Sequence, residues 1–134
     1  METKIICIDT SVLIDYFRKK DKSKSLFYKL TGSYSTFTVS AITEYEIYVG
    51  SVTNDQHEFW NELFKRITVI PFDSETSKVA VKIFQDLKAK NKMIDIPDIL
   101  IAATAIKNKL KFASLNRKHF ERIEGFEKEM IEIE

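Results

Sequence analysis

The sequence predicts an α/β fold built on a mostly parallel sheet, and three features predict it. "IICI" (5–8) is an unbroken apolar run, the mark of a strand covered on both faces. Strand-like stretches then alternate with stretches of helical period, which calls for crossover connections and a parallel sheet. No internal repeat or low-complexity tract interrupts the alternation.

The elements follow in order. After the first strand (4–8), residues 11–19 have helical spacing with Ser11 as a candidate N-cap, and 23–31 read as a second short helix. "STFTV" (35–39) is rich in β-branched residues and reads as a strand. A helix over 41–50 is ended by Gly50, and another over 54–66 carries Phe59, Leu63 and Ile67 on one face. "ITVIPF" (67–72) is a strand stopped by Pro71, and Val79, Ile83, Phe84 and Leu87 mark a helix over 74–91. "MIDIP" is expected to be a loop, 98–109 a strongly apolar helix, "KFAS" (111–114) a short strand, "NRKHF" a turn, and "MIEIE" a last strand.

With 134 residues, 44% hydrophobic and 31% charged, the chain is expected to form a single domain over 1–134 with a core that needs no covalent staples. Cys7 lies inside the first apolar run and has no second cysteine to pair with, so it reads as a small buried hydrophobe. "ILIAATAI" is far too short to span a bilayer and the first residues do not read as a secretory leader; no membrane association and a cytoplasmic location are expected. The net charge of +1 conceals an asymmetry, because residues 121–134 hold six Glu against Arg122 and Lys128. The remainder is therefore basic, with clusters at "RKKDKSK", "KAKNK", "KNKLK" and "NRKHFER" that suit a polyanionic partner.

In a parallel sheet, ligands bind outside the carboxyl ends of the strands. Asp9 leaves the first strand at that edge. Asp98 lies in the first turn of the most apolar helix, which must run back to where the next strand begins, so its start is expected beside Asp9. Asn116 follows the short strand and belongs to the same edge. In the helix after the second strand, Glu44 and Glu46 face nearly opposite sides, and the residues themselves leave the choice between them open. Carboxylates that converge repel one another, and a divalent cation resolves the repulsion. An all-oxygen ligand set, with no His or Cys at zinc spacing, favours Mg²⁺ or Mn²⁺. Such an ion reverses the local field and polarises a phosphoryl oxygen, so an acidic pocket in basic surroundings suits a nuclease.

These residues resemble the PIN-domain family, and within it the VapC-type toxins of toxin–antitoxin pairs, over nearly the whole chain. "IDTSVLIDYF" is similar to the family's first motif, with Asp9 as its acid. "SAITEYEIYVG" is similar to the second and selects Glu46 over Glu44; "DILIAATA" is similar to the third and selects Asp98 over Asp95. "SLNRKHF" is similar to the fourth, where Asn116 stands in place of an acid that many relatives carry. The resemblance implies a three-layer α/β/α fold and metal-dependent endoribonuclease activity on single-stranded RNA such as tRNA or mRNA. It also implies that Asp9 and Asp98 hold the metal, Glu46 orients or deprotonates the attacking water, and Asn116 positions it. With Asn116 uncharged, one tightly held metal is implied. A cognate antitoxin and a homodimer are the expected partners, served by the aromatic load of Phe17, Phe27, Tyr28, Phe59, Trp60 and Phe64.

Three other readings compete. A catalytically silent PIN-like module would bind RNA or protein without turnover. A metal-independent ribonuclease would use His57 and His119 as acid and base. A phosphoacceptor receiver domain would want paired acids after the first strand, where "CIDTS" offers one.

Overall fold

A computed structural model describes residues 4–133. Among them β1 (Ile5–Ile8), β2 (Thr36–Ser40), β3 (Ile67–Ile70) and β4 (Lys111–Ala113) form one sheet in the order β3-β2-β1-β4. Every pairing is parallel, with Cys7 opposite Thr38 on one side and Phe112 on the other. The chain passes between strands through α1 (Thr10–Arg18) and α2 (Leu26–Leu30), then α3 (Ala41–Val49) and α4 (Asn54–Phe64), then α5 (Ser74–Ala89) and α6 (Ile96–Lys107). A four-residue helix, α7 (Arg117–Phe120), follows β4.

Because β1 is central, its side chains alternate between two cores. Ile6 and Ile8 pack with Val39, Ile47 and Trp60 on the α1–α4 side, whereas Cys7 packs with Leu87, Ile101 and Phe112 on the α5–α6 side. The result is the expected three-layer α/β/α arrangement. Phe112 is fully buried against Phe120 and Phe126, and its truncation to Ala should cost about 3–5 kcal/mol. Burial also pushes the Cys7 thiol up to about 12, so it remains an unreactive thiol.

The strand order places the site. After β1 the chain steps to one neighbour, β2; after β3 it returns across the sheet to the other neighbour, β4. The order therefore reverses at β1, and the crevice of a parallel sheet opens where it reverses.

Several local expectations change. Helix α1 starts at Thr10 with Asp9 in the cap position, so Ser11 is inside the helix and its hydroxyl is used elsewhere. The expected helix over 23–31 is a 3₁₀ turn (Lys22–Lys24) followed by α2, because Ser25 donates to the Lys22 carbonyl and accepts from the Tyr28 amide. Helix α6 begins two residues early, since Pro97 suits a first turn, and this absorbs part of the expected "MIDIP" loop. "NRKHF" contains α7 rather than an open turn. The expected last strand reduces to a single parallel bridge, Phe112 to Met130; Glu134, its last residue, lies outside the described residues.

The aromatic load is mostly spent inside. Trp60 is 3% exposed and stacks on Phe17 at 5.2 Å, and Phe27 meets Tyr16 and Phe37 edge-on. Of the six aromatics, part of which was expected to meet a partner, only Tyr28 is exposed (53%), and Trp60 belongs to the core rather than to a docking groove.

Candidate active site

Asp9 continues the β1–β4 ladder through its amide, which donates to the Ala113 carbonyl at 2.9 Å. Its side chain is only 2% exposed. One oxygen, Oδ2, accepts from Ser11 Oγ at 2.7 Å and Ser114 Oγ at 2.8 Å. Those hydroxyls accept in turn from the amides of Leu115 and Asn116, so the ends of β1 and β4 are latched together around one carboxylate oxygen. The other oxygen, Oδ1, has no hydrogen-bond partner among the described residues. Since no fully buried side-chain oxygen lacks a partner there, Oδ1 is open to solvent.

That opening is a cleft of ≈ 690 Å³ that also takes in Thr10, Glu46, Asp95, Asp98, Asn116 and His119. Glu46 reaches it from α3, where its Oε1 accepts from Thr10 Oγ1 at 2.7 Å. Glu44 does not line it, as expected of two positions on nearly opposite helix faces. Helix α6 is docked by Thr104, whose hydroxyl donates to Ser40 Oγ at 3.0 Å at the end of β2. This places Asp98 in the cleft with its side chain 16% exposed, while Asp95 sits at the exposed rim.

The Asp98 carboxyl lies above the ordinary range, first because burial penalises its charge and then because Asp9 and Asp95 repel it. A hydrogen bond from His119, Nδ1 to Oδ2 at 3.2 Å, acts in the opposite direction. Asn116 is exposed at the cleft, and its side-chain amide has no partner among the described residues. The cleft thus gathers Asp9, Glu46, Asp98 and Asn116. It does not assemble a histidine pair, because His57 is bonded to Ser51 and lies outside the cleft.

Among the described residues, no three His, Cys, Asp or Glu side chains are grouped closely enough to hold a metal by themselves. What is present is a pair, Asp9 and Asp98, with an open Oδ1 on the first and, on the second, a carboxylate whose Oδ2 meets His119 and whose Oδ1 has no partner among the described residues. One or two carboxylates with water in the remaining positions suits Mg²⁺, which keeps much of its hydration shell. The donor chemistry therefore fits a hard divalent cation.

One participant, Ser114, was missed in the sequence, and another, His119, was weighed only as the partner of His57. Ser114 is a small polar residue at the exit of a strand, a position that signals the functional edge. His119 lies three residues after Asn116, one turn along α7, and so was readable as a neighbour of the same site.

Comparison with known proteins identifies the family. The PIN domain model matches residues 6–125. Ribonuclease VapC1 of Methanocaldococcus jannaschii is 34% identical, over 93% of this chain and 85% of its own length. The chain belongs to the PIN-domain family, among the VapC ribonucleases. The fold of the family is seen again in DNA-bound VapBC from Salmonella typhimurium, with TM-score 0.81 and 22% identity over 92% of this chain and 95% of that one. A toxin–antitoxin complex from Klebsiella pneumoniae gives TM-score 0.75 and 24% identity over 95% of this chain and 96% of that one.

Proposed function

We propose that this member of the family is a Mg²⁺- or Mn²⁺-dependent endoribonuclease that hydrolyses single-stranded RNA, tRNA or mRNA, as the toxin of a toxin–antitoxin pair. The observation that carries the reading is the open Oδ1 of Asp9 in the same cleft as Asp98, whose one side-chain partner among the described residues is His119 on Oδ2. When bound by these two carboxylates, a divalent ion neutralises them, polarises a phosphoryl oxygen and acidifies water. The chain's own residues do the rest. Ser11 and Ser114 hold Asp9 by Oδ2 and so aim Oδ1 into the cleft. Thr10 occupies one Glu46 oxygen and leaves the other to orient a water and take its proton. The Asn116 amide, with both donor and acceptor, positions that water.

In the hydrolysis, a bond forms between the water oxygen and phosphorus, the P–O3′ bond breaks, and the departing O3′ takes a proton. The products then end in 5′-phosphate and 3′-hydroxyl. The test is to digest a single-stranded RNA with Mg²⁺ and treat the products with a 5′-phosphate-dependent exonuclease. Degradation of the products is expected, together with loss of cleavage in EDTA. Ends in 2′,3′-cyclic phosphate, or full activity in EDTA, would overturn the reading.

The ribonuclease name of the curated relative and the toxin–antitoxin description of a structural neighbour support the toxin role and an antitoxin partner. Tyr16 and Phe59 floor a groove of ≈ 480 Å³ rimmed by Asp55, Glu58, Glu62 and Arg66, an aromatic surface on which a partner chain can dock. A homodimer and a cytoplasmic location complete the proposal; no helix among the described residues is long and apolar enough to cross a membrane. Light scattering that finds only monomer at every concentration would remove the dimer.

A further inference from the structure

The catalytic cleft does not end at its carboxylates. Past Asp15, Lys19 and Leu115 it continues into a second groove of ≈ 460 Å³, walled by Lys24 and Lys29 on one side and Ile131 on the other. Between Arg18 and Lys29 the chain carries six basic residues and a single acid, Asp21. Their partners divide them into two kinds. Lys22 is structural: its Nζ donates to the carbonyls of Tyr16 and Phe17 at 2.7 and 2.8 Å, and it lies 5.3 Å from the centre of the Phe59 ring. Arg18, Lys24 and Lys29 form no ion pair and no side-chain hydrogen bond with any described residue, and Lys19 has only a 3.5 Å approach to Asp15.

An acidic site that must receive a polyanion needs positive potential beside it. The unpaired cations line a path that leaves the cleft past Asp15 and Leu115. The groove has no aromatic side chain to stack a base, and its three lysines, Lys19, Lys24 and Lys29, outnumber its two acids, Asp15 and Glu132. The group such a surplus of cations recognises best is phosphate.

We propose that this groove is the track for the RNA strand flanking the scissile bond, with Arg18 and Lys19 holding phosphates at the mouth of the cleft and Lys24 and Lys29 holding phosphates beyond it, without preference for base. The proposal rests on the ribonuclease reading of the adjacent cleft.

The test separates the two. A fluorescein-labelled oligo(U) of about 12 nucleotides, within the span of known single-strand sites, is titrated with the full chain in EDTA, where binding is read without turnover. Lys24→Ala/Lys29→Ala should weaken binding and lower the slope of log affinity against log salt by about 1.4, since single strands release about 0.7 counterion per phosphate contact. With Mg²⁺, the same variant should raise KM for a long RNA with kcat unchanged, and should cleave a dinucleotide like wild type. Lys24→Glu/Lys29→Glu should enlarge both effects, and the unchanged melting temperature of each variant certifies its fold. A wild-type chain that binds RNA in EDTA but never cleaves it defeats the ribonuclease reading and leaves the track standing. Wild-type affinity, salt slope and KM in both variants defeat the track. Displacement of oligo(U) by poly-glutamate more readily than by unlabelled poly(U) also defeats it, because the groove would then favour an acidic peptide.

Discussion

Helices α5 and α6 each carry an aspartate at the N-terminal end, Asp73 in the cap position and Asp98 in the first turn, and the two differ in almost every respect. Asp73 caps α5. Its Oδ1 accepts from the Thr76 amide at 2.9 Å and the Thr76 hydroxyl at 2.7 Å, and its Oδ2 accepts from Lys107 at 3.2 Å. Those bonds, the Thr76 hydroxyl first, hold its carboxyl down to about 2. Asp98 lies in the first turn of α6, where the positive end of the helix should also favour its charge. Yet burial, with Asp9 and Asp95 close by, drives its carboxyl the other way. The same residue at the same pole of a helix is therefore not the same chemical group. Asp73 has spent both its oxygens on the fold, whereas Asp98 meets only His119, through Oδ2, and keeps Oδ1 for a cation.

Exchange of each carboxylate for its amide should break the symmetry most sharply. Loss of an outer partner of a metal ligand costs about 10–100-fold, so Asp98→Asn should cost more than about 100-fold in RNA cleavage. Asp73→Asn should cleave at near wild-type rate. Thermal melts in metal-free buffer should order them in reverse. Asp73→Asn loses charged cap bonds and melts lower than wild type, while Asp98→Asn sheds a repelled charge and melts no lower. A well-folded Asp73→Asn that is inactive would erase the distinction.

The same contrast holds between two acids on α3. Glu46→Gln should lower kcat by about 10²–10⁴-fold, the range expected for a lost general base. Glu44→Gln, which does not line the cleft, should leave kcat near wild type. Steady-state kinetics on one single-stranded RNA decides it, and a dead Glu44→Gln would show that the wrong face of α3 has been assigned.

What could be read in advance follows from how local each signal is. The buried character of "IICI" and the small apolar residues of "ILIAATAI" are carried by adjacent residues, so β1, α6 and the placement of Asp9 at the sheet edge were legible. The latch on Asp9 was not. Ser11 and Ser114 are 103 positions apart, and nothing near either residue signals that their hydroxyls meet on one carboxylate oxygen. The interior position of Trp60 was hidden for a related reason: helical spacing marks an apolar face but does not say whether the protein's own Phe17 or a partner covers it. Pro97 was read as the end of a loop when its position in a first turn makes it part of the helix start.

The latch provides a milder test of how an acid is committed. Ser114→Ala removes one of two donors to Asp9 Oδ2 and leaves Oδ1 free to swing away from the cleft. Mn²⁺ affinity measured by titration calorimetry should fall about 10–100-fold, as for other lost supports of a ligand. Unchanged affinity would mean that Ser11 alone sets the aim of Asp9.

The smallest expected effect concerns how Asp73 itself holds its proton. Its carboxyl is depressed in the fold relative to an ordinary value of 3.8, so the unfolded chain binds the proton more tightly. The stabilisation is therefore complete above pH 3.8 and is lost as pH falls through 3.8 towards 2. The melting difference between wild type and Asp73→Asn should follow that course, and should vanish at the acid end. Because the Thr76 hydroxyl is the first cause and the Lys107 charge the last, added salt should move this transition little. Thr76→Val, in contrast, should shift it up towards 3.8, since the hydroxyl bond is gone while the amide bond remains. A transition that salt abolishes would make Asp73 a Coulombic partner of Lys107, and its difference from Asp98 would then be one of neighbouring charge alone.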